Sequence, residues 1–450
     1  MKLVVVGGDA AGMSAASQAR RRRPASDLEI VAFERSSWVS YSACGEPYHV
    51  AGYVDPLERL VARSPAQFAA MDIAVHIRHE VTSIDLDRRV VTVSDLDAGV
   101  ERQEPFDLLM LGMGAAAIRP DITGIDLPGV HELRTLDDAA RLRAIAETGP
   151  GSAVVIGGGY IGLEAAEAFH HQGWDVTVLT SGASVLERSI DPDLAAMLVE
   201  SMAGMGIRVV TNTRVRCING AEQVVSVGCV DGETHPADVV IMGLGSRPEV
   251  RIAADAGVAL GETGAIAVDT RQRTSIDGVW AAGDCAEAPH RLTGKPVNYH
   301  LGTIANKSGR VAGIDIGGGS ATFPGVLGTS ITKVCETEVA STGLRLADAI
   351  AAGFDAVEGT ARGTTTAGYW PSATAITIRA VAERGTGRLL GAQIVGGPGA
   401  AKRIDVFATA IWNSVTADDL SWTDLAYAPP FSGVWDLIHI AAREAADAAR

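Results

Sequence analysis

Short apolar runs and glycine-rich turns alternate along the start of the chain, and the same arrangement returns later. Lys2 to Val6 is apolar and predicts a strand, Gly7 to Gly12 a tight turn, and Met13 to Arg23 a helix stopped by Pro24. A second predicted strand, Leu28 to Phe33, ends at Glu34. Downstream, Ala153 to Ile156, Gly157 to Gly162, Leu163 to Gln172 and Asp175 to Leu179 repeat strand, turn, helix and strand. Two βαβ units predict two dinucleotide sites, or one ancestral unit duplicated.

Between the units, Asp72 to Val93 alternates apolar and polar residues as an antiparallel excursion does. Two further predicted strands, Asp107 to Leu111 and Asp238 to Met242, end at Gly112-Met113-Gly114 and Gly243-Leu244-Gly245 and close the two units. A strand leading to Gly283-Asp284 and a helix around Gly302 to Ile314 return the chain to the first unit, so the second is inserted in it. After the linker Gly317 to Ser320 come strands at Thr329 to Val334, Ala375 to Val381 and Leu389 to Val395, and a helix from Arg403 to Ser414. The expected fold is α/β, with two Rossmann-like dinucleotide-binding domains and a C-terminal α+β domain. The expected boundaries are 1–112 with 246–322, then 113–245, then 323–450.

A length of 450 residues, 47% hydrophobic and 20% charged, suits a chain of several buried cores. The formal net charge of -16 argues against a general binder of nucleic acid or anionic membrane, so anionic ligands need local basic sites. No apolar run is long enough to span a bilayer, and the chain starts in a strand rather than a cleavable signal. A cytoplasmic protein is expected. The five cysteines, Cys44, Cys217, Cys229, Cys285 and Cys335, are scattered and lack C-x-x-C spacing, so neither a disulfide framework nor a metal site is expected.

Gly157-x-Gly159-x-x-Gly162 is a complete phosphate-binding turn between strand and helix, where glycine lets a pyrophosphate approach the helix N-terminus. In the first turn Asp9 takes the second glycine position and leaves Gly7, Gly8 and Gly12. Glu34, at the end of the next strand, stands where a ribose hydroxyl pair is held, or is a solvated strand-end acid. The second unit ends instead at Thr180-Ser181-Gly182. The missing acid favours NADPH over NADH, with Arg188 as a cation for its phosphate or simply a surface charge, and is also compatible with weak discrimination. Asp284 is either an acceptor for sugar-like hydroxyls or a turn aspartate.

Cys44, in Ser40-Tyr41-Ser42-Ala43-Cys44-Gly45-Glu46-Pro47-Tyr48, has no partner at C-x4-C spacing. Pro47 fits the first turn of a helix, which would put Cys44 at a helix N-terminus and lower its thiol pKa. The other cysteines read as packed residues, with Cys335 inside a strand.

Several segments together resemble the FAD-dependent pyridine nucleotide-disulfide oxidoreductases, and within them the single-cysteine branch of coenzyme A disulfide reductases, CoA-persulfide reductases and NAD(P)H oxidases. The segments are V-V-V-G-G-D-A-A-G-M-S-A-A, S-Y-S-A-C-G-E-P-Y, V-I-G-G-G-Y-I-G-L-E-A-A-E, M-G-L-G-S-R-P, A-A-G-D, A-N-K-S-G-R, G-T-S-I-T-K-V and L-A-Y-A-P-P-F, in family order over essentially the whole chain. The resemblance implies FAD on the first domain through Gly7, Gly12, Glu34 and Asp284. It implies NAD(P)H on the inserted domain through Gly157, Gly159, Gly162 and Glu164, with Tyr160 over the flavin. Gly8, Ala10, Ala11, Arg35, Val81, Gly114, Gly283, Ile161, Thr180, Arg188 and Gly245 complete the implied cofactor contacts.

The resemblance further implies a homodimer whose last domain carries Tyr369 and Tyr427 toward Cys44 of the other subunit; from sequence alone both are also ordinary packing tyrosines. Ser14, Gln18 and Arg21 recur at helical spacing and, with Arg22 and Ser40, match positions that contact CoA, while an arginine run is also an ordinary helix end. The implied reaction passes electrons from NAD(P)H through FAD to a disulfide or persulfide on Cys44. The alternatives are an oxidase or peroxidase that cycles Cys44 through sulfenic acid, and a reductase for a protein acceptor. Three positions depart from the pattern: Ala43 replaces an asparagine, Glu46 an apolar residue, and Trp435-Asp436-Leu437 lacks an Asp-Pro pair. An unpaired Glu46 carboxylate would raise the thiol pKa.

Overall fold

A computed structural model describes residues 1–450. Central hydrophobic strands buried on both faces, with less buried edge strands at Ile73–Ile77, Arg208–Val210 and Val130–Glu132, build two parallel sheets of five strands each. The first runs in the order Val279–Ala281, Leu108–Leu111, Lys2–Val6, Glu29–Glu34, Ile73–Ile77. The second runs Arg208–Val210, Asp175–Leu179, Ser152–Ile156, Val239–Met242, Val130–Glu132. Each has an accompanying three-stranded antiparallel sheet, His79–Pro105 and Val215–Pro236. Ala115–Ala117 and Ser246–Pro248, where the chain leaves and re-enters the first unit, pair antiparallel.

Small residues set the packing of the first unit. Helix Ala10–Arg20 lies against helix Gly302–Ile316 so closely that a Cβ on Gly309 would come within 2.3 Å of the Ala11 oxygen, and one on Gly313 within 2.2 Å of the Ala15 oxygen. Alanine on one helix and glycine on the other therefore fix the spacing; a larger residue would force the helices apart.

The C-terminal region is an antiparallel sheet in the order Ser330–Val334, Thr337–Gly343, Leu389–Gly396, Ala375–Glu383, Ala356–Thr364. Helices Ile404–Trp412 and Leu437–Ala449 bury their apolar faces on it, around Phe407, Ile378 and Ile394. Buried Arg379 ties this sheet to the second unit through Asp191 at 2.9 Å and Asp193 at 2.7 Å. Asp193 is half exposed, so the Asp191 pair is the buried one, and removing one of its partners costs about 3–5 kcal/mol. No helix is long and apolar enough to cross a membrane.

Four readings change. Both nucleotide helices start earlier than expected, at Ala10 and Tyr160, because the last glycine of each turn already has helical backbone. Helix Ala10–Arg20 also ends before Arg21, which takes the C-cap. The excursion starts only at His79, since Ile73–Ile77 pairs in the main sheet. Cys335 is not inside a strand but occupies the turn between two of them with φ of 55°.

Candidate active site

The two glycine turns place their helix N-termini beside strand ends. Gly7 has φ of +101°, and a Cβ there would strike the Gly112 oxygen at 2.1 Å; Gly12 is equally closed against the Gly7 oxygen at 2.0 Å. Only glycine fits, which leaves backbone amides open to a phosphate. Asp9 takes the N-cap position without capping the helix; its carboxylate instead accepts the Tyr41 amide at 3.0 Å. Helix Leu136–Ala146 by contrast is closed by its own box, Thr135 with Asp138. Burial pushes Asp9 up to about 6. Glu34 accepts from the amides of Gly8 and Ser36, both at 2.8 Å, which fixes its carboxylate at the turn. Val81 is buried beneath this strand end, and Arg35 is exposed without an ion pair.

Asp284 sits after strand Val279–Ala281, next to Gly283 at φ of +78°. A Cβ on Gly283 would meet Ala11 Cβ at 2.9 Å, so this turn abuts the first helix. The Asp284 carboxylate pairs with Arg134 at 3.0 Å, across 150 residues of sequence. Asn298 donates to the Asp284 and Ala286 carbonyls at 3.0 and 2.9 Å, and its own oxygen meets His300 Nε2 at 2.7 Å. The strand-end turn is thereby held rigid. Gly114 lies at the exit from the first unit with φ of +71°.

In the second unit Gly157 has φ of +120°, and its missing Cβ would lie 2.2 Å from the Gly243 oxygen. Helix Tyr160–His171 starts at Gly159 with no side-chain cap. Thr180 is buried and its Oγ1 accepts the Gly182 amide at 3.3 Å, while Arg188 and Gly245 are exposed. Tyr160 hydroxyl lies 2.8 Å from Ser330 Oγ, and Glu164 accepts from Thr332 at 2.6 Å. Both contacts lock the start of this helix to the C-terminal sheet. Ile161 on the same turn is half-buried.

Cys44 lies exposed in a short turn, Ala43–Gly45, that precedes the five-residue helix Glu46–Val50. Pro47 is in the first turn of that helix, as expected. The expected lowering of the thiol pKa does not occur: the surrounding protein mass pushes it up, and Glu164, Glu46 and Asp284 add in the same direction. Those acids also locate the thiol, since they come from the second-unit helix, the turn itself and the first-unit strand end. Burial pushes Cys285 up to about 11, consistent with a packed residue.

The candidate CoA residues are only partly together. Ser14 Oγ donates to Asn306 at 2.9 Å; Gln18 is buried and accepts from Arg22 at 2.8 Å; Arg21 is exposed beyond the helix end. Ser40 has φ of 48°, and its amide donates to the Gly8 carbonyl at 2.9 Å, which ties the Cys44 segment to the first glycine turn. Tyr369 and Tyr427 are neighbours on the C-terminal surface and make no hydrogen bond to the Cys44 segment. Arg134 and Ser330 were missed by sequence reasoning. Ser330 lies in the G-T-S-I-T-K-V segment and Arg134 in no motif, and neither shows its role, because their partners Tyr160 and Asp284 are close only in space. Arg63, over Phe68 at 5.1 Å and beside Ser17, adds a cation to the first helix that a lone arginine in a loop does not advertise.

Residues 1–307 match the family described as pyridine nucleotide-disulphide oxidoreductase, and residues 329–437 match its dimerisation domain. The chain is 39% identical over 443 residues, 98% of its length and 97% of the relative's, to the NAD(P)H sulfur oxidoreductase (CoA-dependent) of Pyrococcus abyssi. It is 31% identical over 442 residues, 98% of each, to the coenzyme A disulfide reductase of Staphylococcus epidermidis. The solved NAD-dependent persulfide reductase of A. fulgidus superposes with a TM-score of 0.94 at 38% identity, covering 98% of this chain and 82% of the other. The closed glycine turn, the fixed Glu34 carboxylate and the strand-end Asp284 fit a flavin dinucleotide, and the chain belongs to the pyridine nucleotide-disulphide oxidoreductase family, as an FAD-dependent enzyme that uses NAD(P)H.

Proposed function

We propose that this enzyme reduces a disulfide or persulfide of coenzyme A type at Cys44. One observation carries the reading: an exposed thiol without a disulfide partner stands within reach of charges from both nucleotide units, Glu164 of the second and Asp284 of the first. The names of the relatives from Pyrococcus abyssi and Staphylococcus epidermidis support a CoA-type acceptor.

FAD, when bound, carries two electrons from the nicotinamide to sulfur. Residues 1–112 and 246–322 hold it, with Gly7, Gly8, Ala10, Ala11 and Gly12 at the pyrophosphate, Glu34 at the ribose and Asp284 at the ribityl hydroxyls; Arg35, Val81, Gly114 and Gly283 frame it. Residues 113–245 hold NAD(P)H through Gly157, Gly159, Ile161 and Gly162, with Thr180, Arg188 and Gly245 toward the adenosine end and Tyr160 and Glu164 toward the nicotinamide. Arg134, paired with the Asp284 carboxylate at 3.0 Å, holds it oriented as an acceptor.

Cys44 Sγ attacks one sulfur of the substrate, forming a new S–S bond as the old one breaks and a thiolate leaves. A basic rim of Arg21, Arg22 and Arg63, with Ser14, Gln18 and Ser40 nearby, receives the anionic part of the substrate.

The protein is a cytoplasmic homodimer in this reading. Its C-terminal surface exposes Tyr369, Trp422, Phe431, Val434 and Trp435, between 51% and 75% accessible, a concentration of aromatic area expected at an interface. Tyr369 and Tyr427 then reach Cys44 of the other subunit and protonate or position the departing thiolate. Anaerobic reduction by NADPH followed by an acceptor panel tests the proposal. CoA disulfide or persulfide must support fast turnover and leave a CoA adduct on Cys44 by mass spectrometry; oxygen consumption matching nicotinamide oxidation, with no adduct, would replace it by the oxidase reading.

A further inference from the structure

Glu46 is a charged residue in a place that has no use for a bare charge. It is 3% exposed, and its Oε1 is buried without any hydrogen-bond partner. Arg134, the cation that faces it, commits its guanidinium elsewhere, to Asp284 at 3.0 Å and the Ala115 carbonyl at 3.1 Å. Lys333, the cation beside Tyr48 of the short helix Glu46–Val50, is committed to Glu167 at 2.8 Å, and the remaining groups around that helix offer no compensation. Asp9, Tyr41 and Cys44 come from the first unit, Asp138 from helix Leu136–Ala146, and Glu164 and Glu167 from helix Tyr160–His171. Arg143 on helix Leu136–Ala146 donates to the Val50 carbonyl and pairs with Glu147.

An isolated buried carboxylate is far costlier than a buried carboxylic acid, so the group keeps its proton. Burial pushes Glu46 up to about 8, with Asp138 and Asp9 adding to the rise against Arg134.

We infer that Glu46 is a positioning residue of the Cys44 site: a neutral carboxylic acid buried two residues from the thiol, whose ionisation opposes formation of the Cys44 thiolate. The inference rests on Cys44 as the reactive thiol, and on no particular acceptor. While Glu46 is protonated, Cys44 ionises against the charges of Glu164 and Asp284 alone. Once Glu46 loses its proton, a third negative charge faces the thiolate. The two protons then leave as a coupled pair, spread over a wider pH range than a single thiol requires.

The test uses the FAD-loaded enzyme and measures the rate of Cys44 alkylation by iodoacetamide against pH, which does not depend on the physiological acceptor. The wild-type profile is expected to be stretched. Glu46→Gln should follow a single-proton curve, equal to wild type near pH 6 and faster by about threefold or more near pH 9, the size expected from removing one nearby charge. Glu46→Leu, which places an apolar side chain in the same slot, should show the same gain.

Two independent readouts accompany it. The infrared carbonyl band of a protonated carboxylic acid at neutral pH should disappear in Glu46→Gln. The melting temperature of wild type should fall relative to Glu46→Gln as pH rises between 4.5 and about 8, because the folded state binds the proton more tightly than the unfolded one across that window. Superimposable alkylation profiles for wild type and both variants, or an unchanged carbonyl band in Glu46→Gln, would overturn the inference. Loss of CoA turnover with the profile difference intact would overturn the acceptor assignment instead.

Discussion

The turn at Gly7 and the turn at Gly157 are built alike and completed differently. In each, the absent Cβ of the first glycine faces a carbonyl oxygen from the closing strand, Gly112 at 2.1 Å and Gly243 at 2.2 Å. The next glycine also matches: a Cβ on Gly8 would meet Glu34 Cβ at 2.7 Å and Val39 Cγ2 at 3.3 Å, and one on Gly158 would meet Thr180 Cβ at 3.3 Å and Val185 Cγ1 at 3.2 Å. Thr180 therefore stands where Glu34 stands, and Val185 where Val39 stands. The backbone cradle is repeated because phosphate recognition needs only amides and space. The match runs on to Ser40 and Leu186, at φ of 48° and 49°, whose amides donate to the Gly8 and Gly158 carbonyls at 2.9 and 2.8 Å, and beyond them the likeness ends. In the first unit the chain carries a carboxylate and then leads from Ser40 to Cys44. In the second it carries a hydroxyl and passes from Leu186 into helix Pro192–Gly204.

That difference can be broken most severely at its chemical end. Cys44→Ser should lower acceptor turnover by roughly a thousandfold or more, as loss of a nucleophile does, while NADPH still bleaches the flavin in stopped-flow absorbance. Retained turnover with a protein acceptor would shift the function to electron transfer without a thiol.

The paired glycines separate the two sites. Gly7→Ala should yield protein that loses FAD on purification. Gly157→Ala should keep FAD and bind nicotinamide about tenfold or more weakly by titration, since each change adds about 1–3 kcal/mol of backbone strain before any clash is relieved.

Exchanging the strand-end residues tests the acid itself. Glu34→Gln should weaken FAD about tenfold in equilibrium dialysis, through loss of a charged acceptor that also holds two amides. Thr180→Glu should lower NADPH affinity relative to NADH by about tenfold, because a carboxylate there repels the extra phosphate. Equal losses for both nucleotides would show that Thr180 does not face the ribose.

The smallest expected effect is at Tyr160. Tyr160→Phe removes the contact to Ser330, worth about 1 kcal/mol, and should raise the KM for NAD(P)H by several-fold with little change in folding.

The family and the two-unit plan were legible, and Cys44 stood out as a candidate, because each depends on local pattern. A glycine turn between strand and helix, an acid after a strand and a cysteine before proline are short-range statements. The Cys44 thiol pKa was misread for the same reason. A helix N-terminus suggests a lowered value, but the helix here is five residues long, and acids from distant segments converge on the thiol. Glu46 was visible as an acid beside the cysteine, and only packing showed it to be buried and unpartnered.

By itself, then, the order of residues determined which backbone turns could form, where the strands lay and which side chain could act as a nucleophile, since sterics and hydrophobic periodicity act over a few residues. Tertiary structure decided that Arg134 would pair with Asp284, that Ser330 would hold Tyr160, and that Tyr369 and Tyr427 would lie together on an open aromatic surface. It also decided that Glu46 would be buried without a partner, because the surroundings of a side chain depend on every element packed around it, and most of those elements lie far away along the chain.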